Sequence, residues 1–171
     1  YLAFVEILPL SQRQNVEILW KPVLVGGIFN SVNQDVYEFR KNPNPLKLKY
    51  SQSDLSLWAK VRDLNISMPK IFPVNSVKAM RGCLFADTKN CLPTFAKEVF
   101  KAYWGQGLDI SEESVLIKIA ELSELPLLEF QQFIYSQDAK DILKQNTAEL
   151  INRGGFGSPT FFYQGHMFFG N

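Results

Sequence analysis

The chain has 171 residues, enough for one domain or for one domain carrying a large insertion. Hydrophobic residues at 46% and charged residues at 20% exclude overall disorder. Eighteen Lys and Arg against seventeen Asp and Glu leave a net charge of +1, which disfavours nucleic acid, anionic membranes and other partners bound mainly by charge.

In chain order, residues 2–14 read as a helix, with Leu2, Val5, Glu6 and Leu10 about one turn apart and Pro9 expected to kink or shorten it. Residues 16–24 alternate, so they predict a strand with Val16, Ile18 and Trp20 on one face. Residues 26–45 carry Gly26-Gly27 and a cluster of Asn, Ser and Pro, the pattern of a long loop. A helix over about 46–64 follows, with Leu57, Trp58, Val61 and Leu64 as its apolar stripe. Pro69 and Pro73 break the next segment.

From Ser76 to Arg153 the pattern is helical. Phe95, Val99, Phe100, Tyr103 and Trp104 make one stripe, mostly core. Ser111-Glu112-Glu113 predicts a helix start, because a Ser cap satisfies free N–H groups and carboxylates suit the positive end. Pro126 suits the first turn of another helix. The last helix, 137–153, stops at Gly154-Gly155. Residues 159–163 and 166–169 predict two strands around the tight turn Gln164-Gly165. Sheet elements at both ends and helices between them predict a small α/β domain with a helical insertion.

The ends read as the interior of a domain: Tyr1 opens an apolar stretch, and the chain stops just after a predicted strand. The expectation is a piece of a larger protein, trimmed on both sides. No run approaches the roughly 18 apolar residues of a membrane-spanning helix.

Few residues carry chemistry unaided. Cys83 and Cys91 are not spaced as Cys-x-x-Cys and read as structural thiols. With the lone His166 they supply too few ligands for a metal, so none is expected. His166 has no carboxylate nearby in sequence and reads as a surface or packing residue. Asn152 to Gly157 lacks the preceding strand and following Lys of a phosphate loop, and reads as a helix cap and turn. Lys47 and Lys49 flank Leu48 beside Tyr50, either as a solvated helix start or with Lys47 as an anion site. Gly157-Ser158-Pro159-Thr160-Phe161 is the most informative segment. A Pro opening a strand after Gly-rich turn residues suggests a cis bond. That would leave the N–H and C=O of Ser158 free to pair with an extended peptide.

Taken together, certain segments resemble the family of 2-hydroxychromene-2-carboxylate isomerases and kappa-class glutathione transferases. They are Tyr1-Leu2-Ala3, Gly26 to Asn30, Lys47 to Tyr50 with Asp54-Leu55, Phe72 to Ser76 with Ala79-Met80-Arg81, Trp104-Gly105-Gln106-Gly107, Phe156 to Thr160, and Phe169-Gly170-Asn171. The resemblance spans essentially the whole chain, and Trp-Gly-x-Gly is closer to the isomerase branch. It implies a thioredoxin-like (DsbA-like) α/β fold with a large all-helical insertion. Residues 1–25 would be the first part of the thioredoxin-like domain, 26–153 the loop and helical insertion, and 154–171 the closing hairpin.

The resemblance further implies glutathione as cofactor. Its cysteinyl backbone would pair with Ser158 before cis Pro159, its γ-glutamyl end would meet Asn171, and its glycyl side Lys47 and Asn33, with Asn30 competing. Asn75 and Trp104 would shape the pocket of a small aromatic carboxylate substrate, and Lys47 would also attract that carboxylate. The family's key Ser would lie upstream of Tyr1, so no catalytic residue is assigned within this chain, and these 171 residues alone are expected to be inactive and poorly folded. The implied reaction is a cis–trans isomerisation in which the glutathione thiolate adds, the ring opens, a bond rotates and glutathione leaves. A kappa-class transferase, a DsbA-like disulfide oxidoreductase and a non-catalytic binding module are the alternatives. A homodimer follows by resemblance, and a cytoplasmic location from the absence of a disulfide framework.

Overall fold

The structure, a computed structural model, describes residues 1–170. Asn171 lies outside the described residues. The element order is α1 (Leu2–Gln14), α2 (Val25–Val32), α3 (Asp35–Lys41), α4 (Pro45–Val61), α5 (Val77–Thr88), α6 (Leu92–Phe100), α7 (Glu113–Leu122), α8 (Leu127–Tyr135), α9 (Gln137–Asn152), β1 (Thr160–Tyr163) and β2 (His166–Phe169). A π-helical turn, Lys101–Gly105, extends α6.

The core is the helical block, and α5 is its hub, touching α6, α7, α8 and α9. One face of α5 carries only small residues: Ala79, Gly82, Cys83 and Ala86, all buried. Against it pack the rings of Phe95 from α6 and Phe130 from α8, both fully buried, with centroids 5.6 Å apart. Phe85 closes on Phe130 edge-on at 5.9 Å. Leu116, Ile119 and Ala120 of α7 complete the cluster. Outside it, α1 docks through aromatics: Tyr1 stacks on Phe100 at 5.2 Å and Phe4 packs between Phe100 and Trp20. Pro9 does not shorten α1, which runs on to a left-handed cap at Asn15.

The hairpin is as predicted. Thr160 pairs with Phe169 and Tyr163 with His166. Gln164 and Gly165 both take positive φ, 48° and 80°, the combination that matches the strands' twist.

Four expectations are corrected. Residues 16–24 alternate between half-buried and exposed as far as Lys21 but form no strand. A strand needs a partner ladder, and the only hydrogen-bonded strands among the described residues are β1 and β2. The segment instead docks on α9, where Thr147 Oγ1 accepts from Leu24 N at 3.0 Å and Asn146 Nδ2 donates to the Pro22 carbonyl at 3.1 Å. Residues 26–45 hold two helices rather than a loop. Packing of α2 on α9, with Ile28 fully buried, overrides the weak propensity of Gly26-Gly27. In α3, Asp35 and Glu38 in the first turn and Arg40 and Lys41 in the last complement the helix dipole. The apolar stripe of α4 does not face the core: Leu57 is 61% and Val61 74% exposed, and only Ala59 is buried. Ser111 does not cap α7, because its N–H and Oγ both bond Asp109 Oδ1, at 2.9 and 2.6 Å.

A Cβ at Gly82 would sit 2.8 Å from Phe95 and 3.1 Å from Phe130. Ala favours a helix over Gly by about 1 kcal/mol, but overpacking a closed core costs about 1–3 kcal/mol. Gly82→Ala is therefore expected to lower the melting temperature of the parent protein. An equal or higher melting temperature would show that the rings move aside freely.

Candidate functional site

The turn between α9 and β1 is held from both sides. Its first part is a helix cap, as the sequence suggested: Gly154 N–H donates to Ile151 and Gly155 N–H to Leu150, both at 2.9 Å. Gly154 has a φ of 89°, and a Cβ on Gly155 would lie 2.6 Å from Leu150. On the hairpin side Gly170 N–H donates to the Pro159 carbonyl at 3.2 Å, Thr160 Oγ1 donates to the Gly157 carbonyl at 2.8 Å, and Phe156 packs on Phe169 with centroids 4.5 Å apart. On the helical side Asn33 Nδ2, just after α2, donates to the Phe156 carbonyl at 3.0 Å.

Between these anchors the Ser158–Pro159 bond is cis, and Ser158 is exposed. Its N–H and C=O bond no other described residue. Asn33, Ser158 and Pro159 are thus brought together. Asn30 is engaged elsewhere: Tyr37 Oη donates to its Oδ1 at 2.6 Å, beside an open cavity of about 610 Å³ lined by Asn30, Gln34, Asp35, Tyr37, Glu38 and Lys41.

A second cluster forms around the π-helical turn. The Trp104 carbonyl accepts from Ser67 N–H at 2.8 Å and Ser67 Oγ at 3.2 Å. Tyr103 Oη donates to the Ile71 carbonyl at 2.9 Å. These bonds strap residues 67–71 across the turn and set Phe72 6.2 Å from Trp104. Trp104 is half-buried, neither plain core nor free surface. Asn75 is exposed, and its Oδ1 accepts from Val77 N–H at 3.1 Å, so it braces the start of α5. Turns of the π type concentrate at functional positions.

Lys47 stands apart. It lies in the first turn of α4, which Asn44 caps by accepting from Leu46 and Lys47 N–H at 3.0 and 3.2 Å. The side chain is exposed and makes no hydrogen bond or ion pair with either cluster among the described residues. Sequence reading missed two elements of this region. One is Phe156, whose carbonyl receives Asn33. The other is Arg40, whose guanidinium lies 5.5 Å from the ring centres of both Phe29 and Phe72. The only sequence signal for Arg40 was the acidic-to-basic gradient of α3.

Neither thiol is activated by its surroundings. Both cysteines are free. Burial pushes the Cys83 thiol up to about 12, with Asp87 adding to the effect, and burial also raises Cys91. His166 is exposed on β2, and no group of three or more His, Cys, Asp or Glu among the described residues is placed to hold a metal. No described helix is long and apolar enough to cross a membrane.

Comparison with known proteins follows the same lines. A family model described as a DSBA-like thioredoxin domain matches residues 1–171. A 2-hydroxychromene-2-carboxylate isomerase of Pseudomonas sp. (strain C18) is 30% identical over 128 residues, which is 74% of this chain and 58% of that protein. One of Sphingobium xenophagum is 23% identical over 177 residues, covering 100% of this chain and 86% of that protein. The chain therefore spans about three-fifths of the first relative's length. A solved structure of a 2-hydroxychromene-2-carboxylate isomerase superposes with a TM-score of 0.81 at 24% identity, covering 98% of this chain and 81% of that one. The likeness in fold is a DsbA-like thioredoxin architecture, mostly helical with a small sheet.

Two outcomes test this geometry. Asn33→Ala removes the bond to Phe156 and is expected to cost about 1 kcal/mol and to speed amide exchange across residues 154–158; unchanged exchange there would show that Asn33 does not hold the turn. Between pH 9 and 12 the folded protein keeps the Cys83 proton that the unfolded chain releases. Stability is then fully present below pH 9 and falls above it, by up to about 1.4 kcal/mol per pH unit. Denaturant melts from pH 8 to 11 should show a shallower decline in Cys83→Ala; parallel curves would contradict the burial effect.

Proposed function

This chain belongs to the DSBA-like thioredoxin domain family, and we propose that its parent protein is a glutathione-dependent isomerase of 2-hydroxychromene-2-carboxylate-type substrates. The observation that carries this reading is the exposed Ser158–cis-Pro159 edge, with its backbone N–H and C=O unpaired among the described residues and its turn held by Asn33. The names and similarity of the relatives support the substrate class.

The residues fit a peptide-like cofactor. An extended strand of backbone needs one donor and one acceptor facing the same way, and Ser158 offers both. Pairing there fixes the register of a bound tripeptide and sets the direction of its cysteinyl side chain. Asn33 spends its amide N–H on Phe156 and keeps Oδ1, so its first task is to hold the turn rigid. Lys47, exposed on α4, supplies a mobile cation for a carboxylate. Phe72 and Trp104 offer an aromatic wall that excludes water on one side of a planar substrate. When bound at the Ser158 edge, glutathione would supply a sulfur nucleophile, and an isomerisation that regenerates it involves no net oxidation. Neither Cys83 nor Cys91 provides a thiolate at neutral pH, which agrees with a nucleophile brought by the cofactor.

Spectrophotometric assay of the parent protein on 2-hydroxychromene-2-carboxylate is expected to show turnover with glutathione and none without it. Glutathione-independent turnover would overturn the cofactor assignment. Conjugation of an aryl halide with no isomerisation would instead identify a transferase. Lys47→Ala is expected to weaken glutathione binding about 5–30-fold in calorimetric titration, the range of a charge-assisted hydrogen bond. Unchanged affinity would leave Lys47 as a solvated helix start.

A further inference from the structure

Arg40 sits in the last turn of α3 with its guanidinium carbon 5.5 Å from the ring centre of Phe29 and 5.5 Å from that of Phe72. A guanidinium attracted to rings can keep its N–H groups available for acceptors. Among the described residues Arg40 makes no side-chain hydrogen bond and no ion pair. The neighbouring Lys41 is engaged, pairing with Glu38 at 3.1 Å. The same holds further off, where Arg81 donates to the Ile134 carbonyl at 2.9 Å and Arg153 pairs with Glu149 at 3.3 Å. Arg40 is thus restrained by two rings while its planar donor fork stays unspent.

One of its two rings, Phe72, belongs to the aromatic cluster already described, and the other, Phe29, lies on α2. Phe29 stands one helical turn before Asn33, which holds the turn leading to Ser158. Phe72 stands 6.2 Å from Trp104. Arg40 therefore links α2, the helix that leads to Asn33, with the aromatic wall. A carboxylate matches its fork with two parallel N–H···O bonds, a geometry that a lysine ammonium lacks. A ligand carrying that carboxylate on a flat ring would lay the ring towards Phe72 and Trp104.

We propose that Arg40, clamped between Phe29 and Phe72, is the binding residue for the carboxylate of the aromatic substrate. The proposal rests on the isomerase reading for the identity of that substrate, and on the geometry alone for its chemical class, an aromatic carboxylate. It gives Arg40 the substrate's carboxylate and leaves Lys47 to the cofactor.

The test uses the full-length parent protein, with Arg40→Met to keep the stem, Arg40→Lys to keep the charge, and thermal melts to confirm folding. Arg40→Met is expected to raise KM for 2-hydroxychromene-2-carboxylate about 10–100-fold and to leave KM for glutathione within about twofold. Arg40→Lys should recover only part of the loss, because the fork is gone. The carboxamide analogue should bind the wild type and Arg40→Met equally. Calorimetric titration with coumarin-3-carboxylate, a bicyclic acid that cannot isomerise, separates the two readings. Arg40-dependent binding of that acid without chromene turnover would uphold the carboxylate site and sink the isomerase. Turnover with an Arg40→Met KM equal to the wild type, or raised equally for acid and amide, would overturn the carboxylate site and leave the isomerase standing. Neither turnover nor Arg40-dependent binding would sink both.

Discussion

The small-residue face of α5 is the constraint on which the rest hangs. Ala79, Gly82, Cys83 and Ala86 leave room for Phe95 and Phe130 to close on the helix. That contact places α6, and α6 carries the π-helical turn that positions Trp104. The hub helix α5 also packs on α9. Thr147 and Asn146 of α9 then hold Leu24 and Pro22, and so deliver α2 and Asn33 to the turn before Ser158. Both halves of the candidate site are therefore placed by one core. A change of a single methyl group at Gly82 reaches them through packing, because close-packed interiors transmit displacement rather than absorb it.

The site divides its work by residue type. On the proposed reading, the Ser158 backbone, unpaired among the described residues, would read shape and direction in a peptide-like partner but not its side chains. On the same reading, the guanidinium of Arg40 and the rings of Phe72 and Trp104 would receive a flat anion. The protein's own thiols are held protonated by burial. Such a division suits a reaction in which the cofactor brings the nucleophile and the protein supplies orientation.

Local signals were legible in the sequence where they settle structure locally. Gln164-Gly165 named its hairpin turn, Gly154-Gly155 named the end of α9, and Pro159 after Gly157-Ser158 named a cis bond. Several judgements that depended on a distant partner failed, and so did one local one, since Asp109 takes the Ser111 hydroxyl. Val16, Ile18 and Trp20 alternate as a strand would, yet α9 and not a neighbouring strand receives that segment. Gly26-Gly27 looked like a break until α9 offered a surface for Ile28. Leu57 and Val61 make a helical stripe, but periodicity does not say which side of α4 meets the core. Within the site, the resemblance pointed to Ser158 and, with Asn30 competing, to Asn33, but not to the bond from Asn33 to the Phe156 carbonyl. Arg40 was not legible, since its rings lie eleven residues before it and thirty-two after it in the sequence.

The central claim is that the Ser158–Pro159 edge receives a peptide-like cofactor. Amide exchange at Ser158 in the full-length parent protein, with and without glutathione, tests it most directly. The account predicts that glutathione slows exchange of the Ser158 amide and of the turn that Asn33 holds. Glutathione binding that leaves Ser158 exchange unchanged would contradict it, and would move the cofactor to another surface.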